Sequence, residues 1–85
     1  MKNVKMYTLS TCPWCNKTKK YFKDHEIPFE YTDYDKSDDE TREKILKEMH
    51  QHGANGFPYV KIGEDIIVGY KPEEYASVMG NKKIN

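Results

Sequence analysis

Eighty-five residues suffice for one small domain, and 36% hydrophobic with 33% charged residues suits a soluble globule with a charged exterior. Lysine plus arginine and aspartate plus glutamate each number 14, so the net charge is zero, which argues against a nucleic-acid binder. The N-terminus lacks an apolar core of signal-peptide length, and the longest aliphatic run, Ile66-Ile67-Val68, is too short to span a bilayer, so a cytoplasmic protein is expected.

In chain order, Val4 to Leu9 alternates and is rich in strand formers, which predicts a first strand. Cys12-Pro13-Trp14-Cys15 follows and opens an amphipathic helix to about His25. Its stripe is Cys15, Thr18, Tyr21, Phe22 and His25, with Lys17, Lys19, Lys20 and Lys23 crowding the same stretch. Ile27-Pro28 ends it, because proline disfavours helical geometry in the residue before it. Phe29 to Asp33 reads as a second strand. Ser37 is the expected N-cap of a second helix running through Ile45, Leu46 and Met49 and stopping near Gly53. The acidic block of Asp33, Asp35, Asp38, Asp39 and Glu40 reads as a solvated face. Pro58 to Ile62 predicts a third strand, Gly63-Glu64-Asp65 a tight turn, and Ile66 to Val68 a short fourth strand. A third helix opens at Pro72, with Glu73 and Glu74 in its first turn and Tyr75, Val78 and Met79 facing inward. The polar stretch 80–85 is expected to fray. The order βαβαββα predicts one α/β domain over 1–85. Its four-stranded mixed sheet joins a parallel first pair to an antiparallel hairpin and is covered by three helices.

Cys12 and Cys15 are the only cysteines, three positions apart at a helix start. In a reducing compartment that spacing reads as a working dithiol, since a four-residue loop has little unfolded-state entropy for a structural bridge to remove. With Cys12 at the N-cap and Pro13 at the first helical position, the Cys12 sulfur can accept hydrogen bonds from free amides, including that of Cys15. The positive helix end favours the thiolate. For cysteines in general, lowering the pKa from about 8.5 to about 7 raises the thiolate fraction at neutral pH from roughly 3% to about half. Nucleophilicity meanwhile falls about fivefold, so attack gains only about threefold, and the larger benefit is a better leaving group. Cys12 is therefore expected to attack a substrate disulfide and Cys15 to resolve the product.

A strand, then Cys-Pro-aromatic-Cys at a helix start, then a proline opening a later strand resembles a glutaredoxin of the thioredoxin superfamily. The resemblance covers nearly the whole chain, with Met6-Tyr7-Thr8 and Phe57-Pro58 at the expected places. It implies the thioredoxin-like fold, a cis Phe57-Pro58 bond beside the dithiol, and substrate docking at Phe57 and Pro58. Two departures stand out. Leu9 occupies the position three before the first cysteine, where many glutaredoxins carry a basic residue. Val68-Gly69-Tyr70-Lys71-Pro72-Glu73 stands in place of the Gly-Gly and acidic segment that grips glutathione. The Gly-aromatic-basic-Pro order is similar to the glutaredoxin-like hydrogen donors of ribonucleotide reductase, which accept electrons from thioredoxin reductase. Ile67 and Val68, however, replace their usual tryptophan and serine. On this likeness Gly69, Tyr70 and Lys71 join Pro13 and Trp14 as substrate-contacting residues, the alternative for Gly69 to Pro72 being an ordinary turn into a helix.

The expected activity is thus that of a monomeric dithiol–disulfide oxidoreductase, with no cofactor beyond the Cys12–Cys15 disulfide and no membrane or nucleic-acid partner. Its substrates would be protein disulfides, with ribonucleotide reductase one candidate, and its reductant a thioredoxin-reductase-type enzyme. The alternatives are a glutathione-dependent glutaredoxin, an iron–sulfur or metal carrier, and a partner-binding module with an inert dithiol. Pro13 stiffens the loop and Cys15 supplies a competing thiol, both of which disfavour a shared cluster. His50 and His52 lie two apart, do not face one direction, and read as surface residues. Trp14 reads as a partner contact, and Tyr7 and Tyr59 as core aromatics unless a hydroxyl reaches the dithiol.

Overall fold

The computed structural model describes residues 3–79, so the stretch expected to fray, 80–85, lies outside them. Strand β1 (Val4–Thr8) leads to helix α1 (Pro13–Asp24) and strand β2 (Glu30–Asp33). A 3-10 turn (Tyr34–Lys36), helix α2 (Asp39–Gln51), strands β3 (Tyr59–Ile62) and β4 (Asp65–Val68), and helix α3 (Pro72–Val78) complete the order. The sheet runs β2-β1-β3-β4, with β1 and β2 parallel and both other pairs antiparallel. The expected mixed sheet and helix count are therefore present.

Alternation along the two central strands divides the apolar residues between two faces. Val4 and Met6 of β1 and Val60 and Ile62 of β3 join Phe22 of α1, Ile67 of β4 and Tyr75 of α3 in one cluster. On the other face Tyr59 packs with Ile45 and Met49 of α2 and with Ala54, and Tyr7 leans on the same cluster. Helices α1 and α3 thus share one side of the sheet and α2 covers the other. This arrangement brings the N-terminus of α1 and the end of β4 to the same side.

Local departures from the expected elements have identifiable causes. Asp38, rather than Ser37, caps α2: its carboxylate accepts the Thr41 amide at 2.8 Å. The Ser37 hydroxyl is occupied elsewhere, donating to the Asp33 carbonyl at 2.8 Å across the 3-10 turn. Leu46 is 41% exposed, because α2 buries only the narrow stripe of Ile45 and Met49. On α1, Cys15, Thr18 and Phe22 are buried, while His25 is exposed at the C-cap with its ring 4.1 Å from that of Tyr21.

On the α2 face, Glu48 collects three donors. Tyr7 donates to it at 2.7 Å, Tyr59 at 3.2 Å and Lys61 at 2.7 Å. The two tyrosine rings stack at 5.4 Å. Their hydroxyls are thereby committed to Glu48 and not to the dithiol. Burial pushes the Glu48 carboxyl up, but the Lys61 and Tyr7 hydrogen bonds outweigh it and hold its pKa below the ordinary 4.5. A carboxyl whose folded pKa is depressed stabilises the fold above its unfolded pKa and loses that contribution as pH falls through the folded value. Glu48→Gln is therefore expected to cost about 1 kcal/mol at pH 7. Urea titrations of both proteins should show the difference shrinking below about pH 4, and a constant difference would exclude this ionic origin.

Candidate active site

The loop after β1 hands the chain to α1 through Cys12, whose extended backbone (φ −86°, ψ 118°) makes it the N-cap. Its amide donates to the Leu9 carbonyl at 3.1 Å, and its carbonyl accepts the Asn16 amide at 3.1 Å, the first helical bond. Pro13 sits at the first helical position, where a missing amide costs no intrahelical bond. The Cys15 amide, one of the free donors of the helix start, points at the Cys12 sulfur at 3.3 Å. Both cysteines are free thiols, Cys12 partly accessible and Cys15 fully enclosed. The loop is anchored by Ser10, whose amide donates to the Asp35 carboxylate at 2.9 Å and whose hydroxyl donates to the same group.

Enclosure sets Cys15 apart electrostatically. Burial pushes its thiol up to about 12, aided by its hydrogen bond with Cys12, against a lowering by the Leu9 amide and the Lys19 charge. The Leu9 amide donates to the Cys15 sulfur at 3.4 Å. Leu9 thus contributes through its backbone at a place where its side chain carries no charge.

Just before β3, the Phe57-Pro58 bond is cis, as the resemblance implied, and Pro58 is buried. The Pro58 carbonyl accepts the Gly69 amide at 2.8 Å. The Gly69 carbonyl accepts the hydroxyl of Tyr75, which also lies 3.1 Å from the Thr18 hydroxyl of α1. With the Tyr75 proton given to Gly69, the single Thr18 proton serves either the Tyr75 oxygen or the Trp14 carbonyl, each 3.1 Å away. Hydrogen bonds thus join the proline loop to the end of β4 and the end of β4 to α3, and the Tyr75 hydroxyl of α3 meets that of Thr18 on α1. Gly69 has φ +100°, in the region L side chains avoid, so a side chain there would strain this join.

Trp14, 55% exposed, stacks on Tyr70 at 6.1 Å, and the Lys17 ammonium lies 4.8 Å from the Trp14 ring centre. Trp14, Phe57, Gly69 and Tyr70 line an open groove of about 290 Å³. Four of the residues expected to contact substrate therefore converge. Pro13 is exposed at the helix tip, and Lys71 is exposed at the start of α3. The Lys71 carbonyl there accepts the Glu74 and Tyr75 amides at 3.0 Å. Sequence reasoning placed Tyr75 inward but missed its hydroxyl as the clip on Gly69. The available signal was the rule that a buried tyrosine hydroxyl needs a partner. Among the described residues no group of three His, Cys, Asp or Glu side chains is placed to hold a metal ion, and His50 and His52 are exposed at the end of α2. No helix among these residues is long and apolar enough to cross a membrane.

A four-stranded mixed sheet with three helices and a dithiol at the first helix N-terminus defines a thioredoxin-like redox fold. The glutaredoxin family model matches residues 4–67, and the chain belongs to that family. It is 35% identical over 71 residues to an uncharacterized glutaredoxin-like 8.6 kDa protein in a rubredoxin operon of Clostridium pasteurianum. That match spans 84% of this chain and 89% of the relative. The glutaredoxin of Archaeoglobus fulgidus superposes with a TM-score of 0.83 at 34% identity, over 93% of this chain and 87% of that one. The NrdH-redoxin of Escherichia coli shares the fold, with a TM-score of 0.76 at 20% identity over 89% and 93% of the respective chains.

The difference in enclosure between the two sulfurs has a direct readout. Iodoacetamide added to the reduced protein is expected to modify Cys12 at least about tenfold faster than Cys15, because the thiolate is the reacting form and Cys15 is both enclosed and raised. Peptide mapping of the alkylated protein measures this, and equal rates at both positions would contradict the geometry.

Proposed function

We propose that this glutaredoxin-family protein is a dithiol–disulfide oxidoreductase in which Cys12 attacks and Cys15 resolves. The observation that carries the reading is the Cys15 amide directed at the Cys12 sulfur, at the positive end of α1 and at the accessible tip of the helix. In the first step the Cys12 thiolate attacks one sulfur of a substrate disulfide, and the electron pair of the broken bond leaves on the other sulfur. The Cys15 thiolate then attacks Cys12, the Cys12–substrate bond breaks, and the substrate departs carrying two electrons. The protein is left with a Cys12–Cys15 disulfide, and the cycle uses no further cofactor.

The groove lined by Trp14, Phe57, Gly69 and Tyr70 has no charged side chain in its wall, which suits an extended peptide flanking a disulfide. Pro13 and Lys71 would border such a peptide, and cytoplasmic protein disulfides, with that of ribonucleotide reductase one candidate, are the proposed substrates. For the reductant, Leu9 offers no cation to a glutathione carboxylate. The Gly69-Tyr70-Lys71 segment lacks the Gly-Gly and acidic run that would grip the tripeptide. A thioredoxin-reductase-type donor is therefore proposed; the E. coli NrdH-redoxin, which shares the fold, has a thioredoxin-like activity profile.

Two experiments test this. Cys15→Ser, incubated with a protein disulfide, should accumulate a mixed disulfide on Cys12 visible by intact mass. An adduct at no site, or failure of the wild-type protein to turn over insulin, would sink the oxidoreductase reading. Separately, the oxidised protein should be reduced by NADPH plus thioredoxin reductase and only slowly by glutathione; rapid reduction by glutathione alone would reverse the choice of donor.

A further inference from the structure

A lysine on a helix surface ordinarily extends into water. Lys20 and Lys44 do so, with side chains 74% and 76% exposed. Lys19 is different, at 19%. Its ammonium lies 3.3 Å from the Asp33 carboxylate at the end of β2 and 3.9 Å from the centre of the Tyr31 ring. Asp33 is 17% exposed and is itself fixed, because the fully buried Thr8 hydroxyl donates to the same carboxylate oxygen. Thus the ends of β1 and β2 together immobilise one lysine of α1. Ordering a long side chain in this way costs entropy, and an ion pair seldom returns much beyond that cost. The position suggests what the fixed charge does: Lys19 lies one helical turn after Cys15, on the neighbouring i,i+4 site.

We propose that Lys19, clamped by Asp33 and Tyr31, is a positioning residue that holds a fixed cation near Cys15 and thereby speeds the resolving step. The proposal rests on the reading of Cys12 as attacker and Cys15 as resolver. In that step Cys15 gives its proton to solvent and its thiolate attacks the Cys12 sulfur. The Cys12–substrate bond breaks, and its electron pair leaves with the substrate sulfur. Negative charge must first develop on an enclosed atom, so a nearby fixed cation assists where water is excluded. The groups bearing on Cys15 are Cys12 and Lys19 from its own helix, the Leu9 amide from the loop after β1, and the Tyr75 hydroxyl from α3. Asp33 bears on it through Lys19. Of the side chains named, Lys19 supplies the positive charge.

The test uses 5,5′-dithiobis(2-nitrobenzoate) as the disulfide, since attack by Cys12 releases one coloured thiolate and resolution by Cys15 releases a second. With Lys19→Met, the first release is expected to stay within about twofold of wild type. The second is expected to slow about two- to threefold, its pH profile displaced upward by about 0.7 unit, and Lys19→Arg should restore both. A second phase unchanged in Lys19→Met, or Lys19→Arg as slow as Lys19→Met, would overturn the role of the charge. A wild-type protein that releases no first equivalent would overturn the dithiol reading itself, and the inference with it.

Discussion

Most of this structure can be understood from a single contact, the amide of Cys15 directed at the sulfur of Cys12. A helix start leaves amides without intrahelical partners, and a side chain at the N-cap is the group geometrically placed to accept one. Putting a sulfur there joins two needs: the helix gains a cap, and the sulfur gains a donor and the positive end of the helix dipole. The contact survives only if α1 begins at one defined residue. Pro13 sets that start from within, and the Cys12–Leu9 turn and the Ser10–Asp35 bonds set it from outside. A frayed first turn would loosen the cap and the sulfur spacing together.

The other side of the site is held by a different logic. The proline loop and the end of β4 present backbone, and α3 presents the Tyr75 hydroxyl, to the same small volume. Gly69 joins them by giving its amide to Pro58 and its carbonyl to Tyr75. Because Tyr75 also meets Thr18, movement of this segment would be felt on α1, the helix that Cys12 caps and that carries Cys15. The groove wall and that helix are therefore in contact through these two hydroxyls. A partner pressing on Trp14 and Tyr70 bears on a surface tied to the sulfurs.

How much of this was legible in the sequence follows from which interactions are local. The strands, the helix starts at Pro13 and Pro72, and the two faces of the sheet were readable because alternation, helical stripes and prolines act over a few residues. The cap at Cys12 was readable for the same reason. The α2 cap was misassigned to Ser37 because both Ser37 and Asp38 are good caps. What decided between them was a 3-10 turn that drew the Ser37 hydroxyl back to Asp33. The Glu48 hub, the Tyr75 clip and the Lys19–Asp33 pair were invisible. Each joins residues of different segments, 6 to 57 positions apart, and only the folded sheet brings them together. The convergence of Phe57, Gly69 and Tyr70 with Trp14 came from resemblance and not from spacing, and the folded chain supplied its geometry.

The two sulfurs are alike in chemistry and unlike in surroundings, and that contrast gives the site a direction. An accessible sulfur capped by an amide can meet a large partner. An enclosed sulfur held above the usual thiol range cannot meet a partner, but it lies within reach of the first. In the proposed cycle, exchange then has one productive order, outside sulfur first and inside sulfur second. The same enclosure that protects Cys15 from stray disulfides also makes its deprotonation the harder step. A buried environment that slows the wrong reaction must therefore carry its own means of allowing the right one. The amide of Leu9 and the fixed charge of Lys19, both of which lower the Cys15 thiol against the pull of burial, are the groups this fold places there.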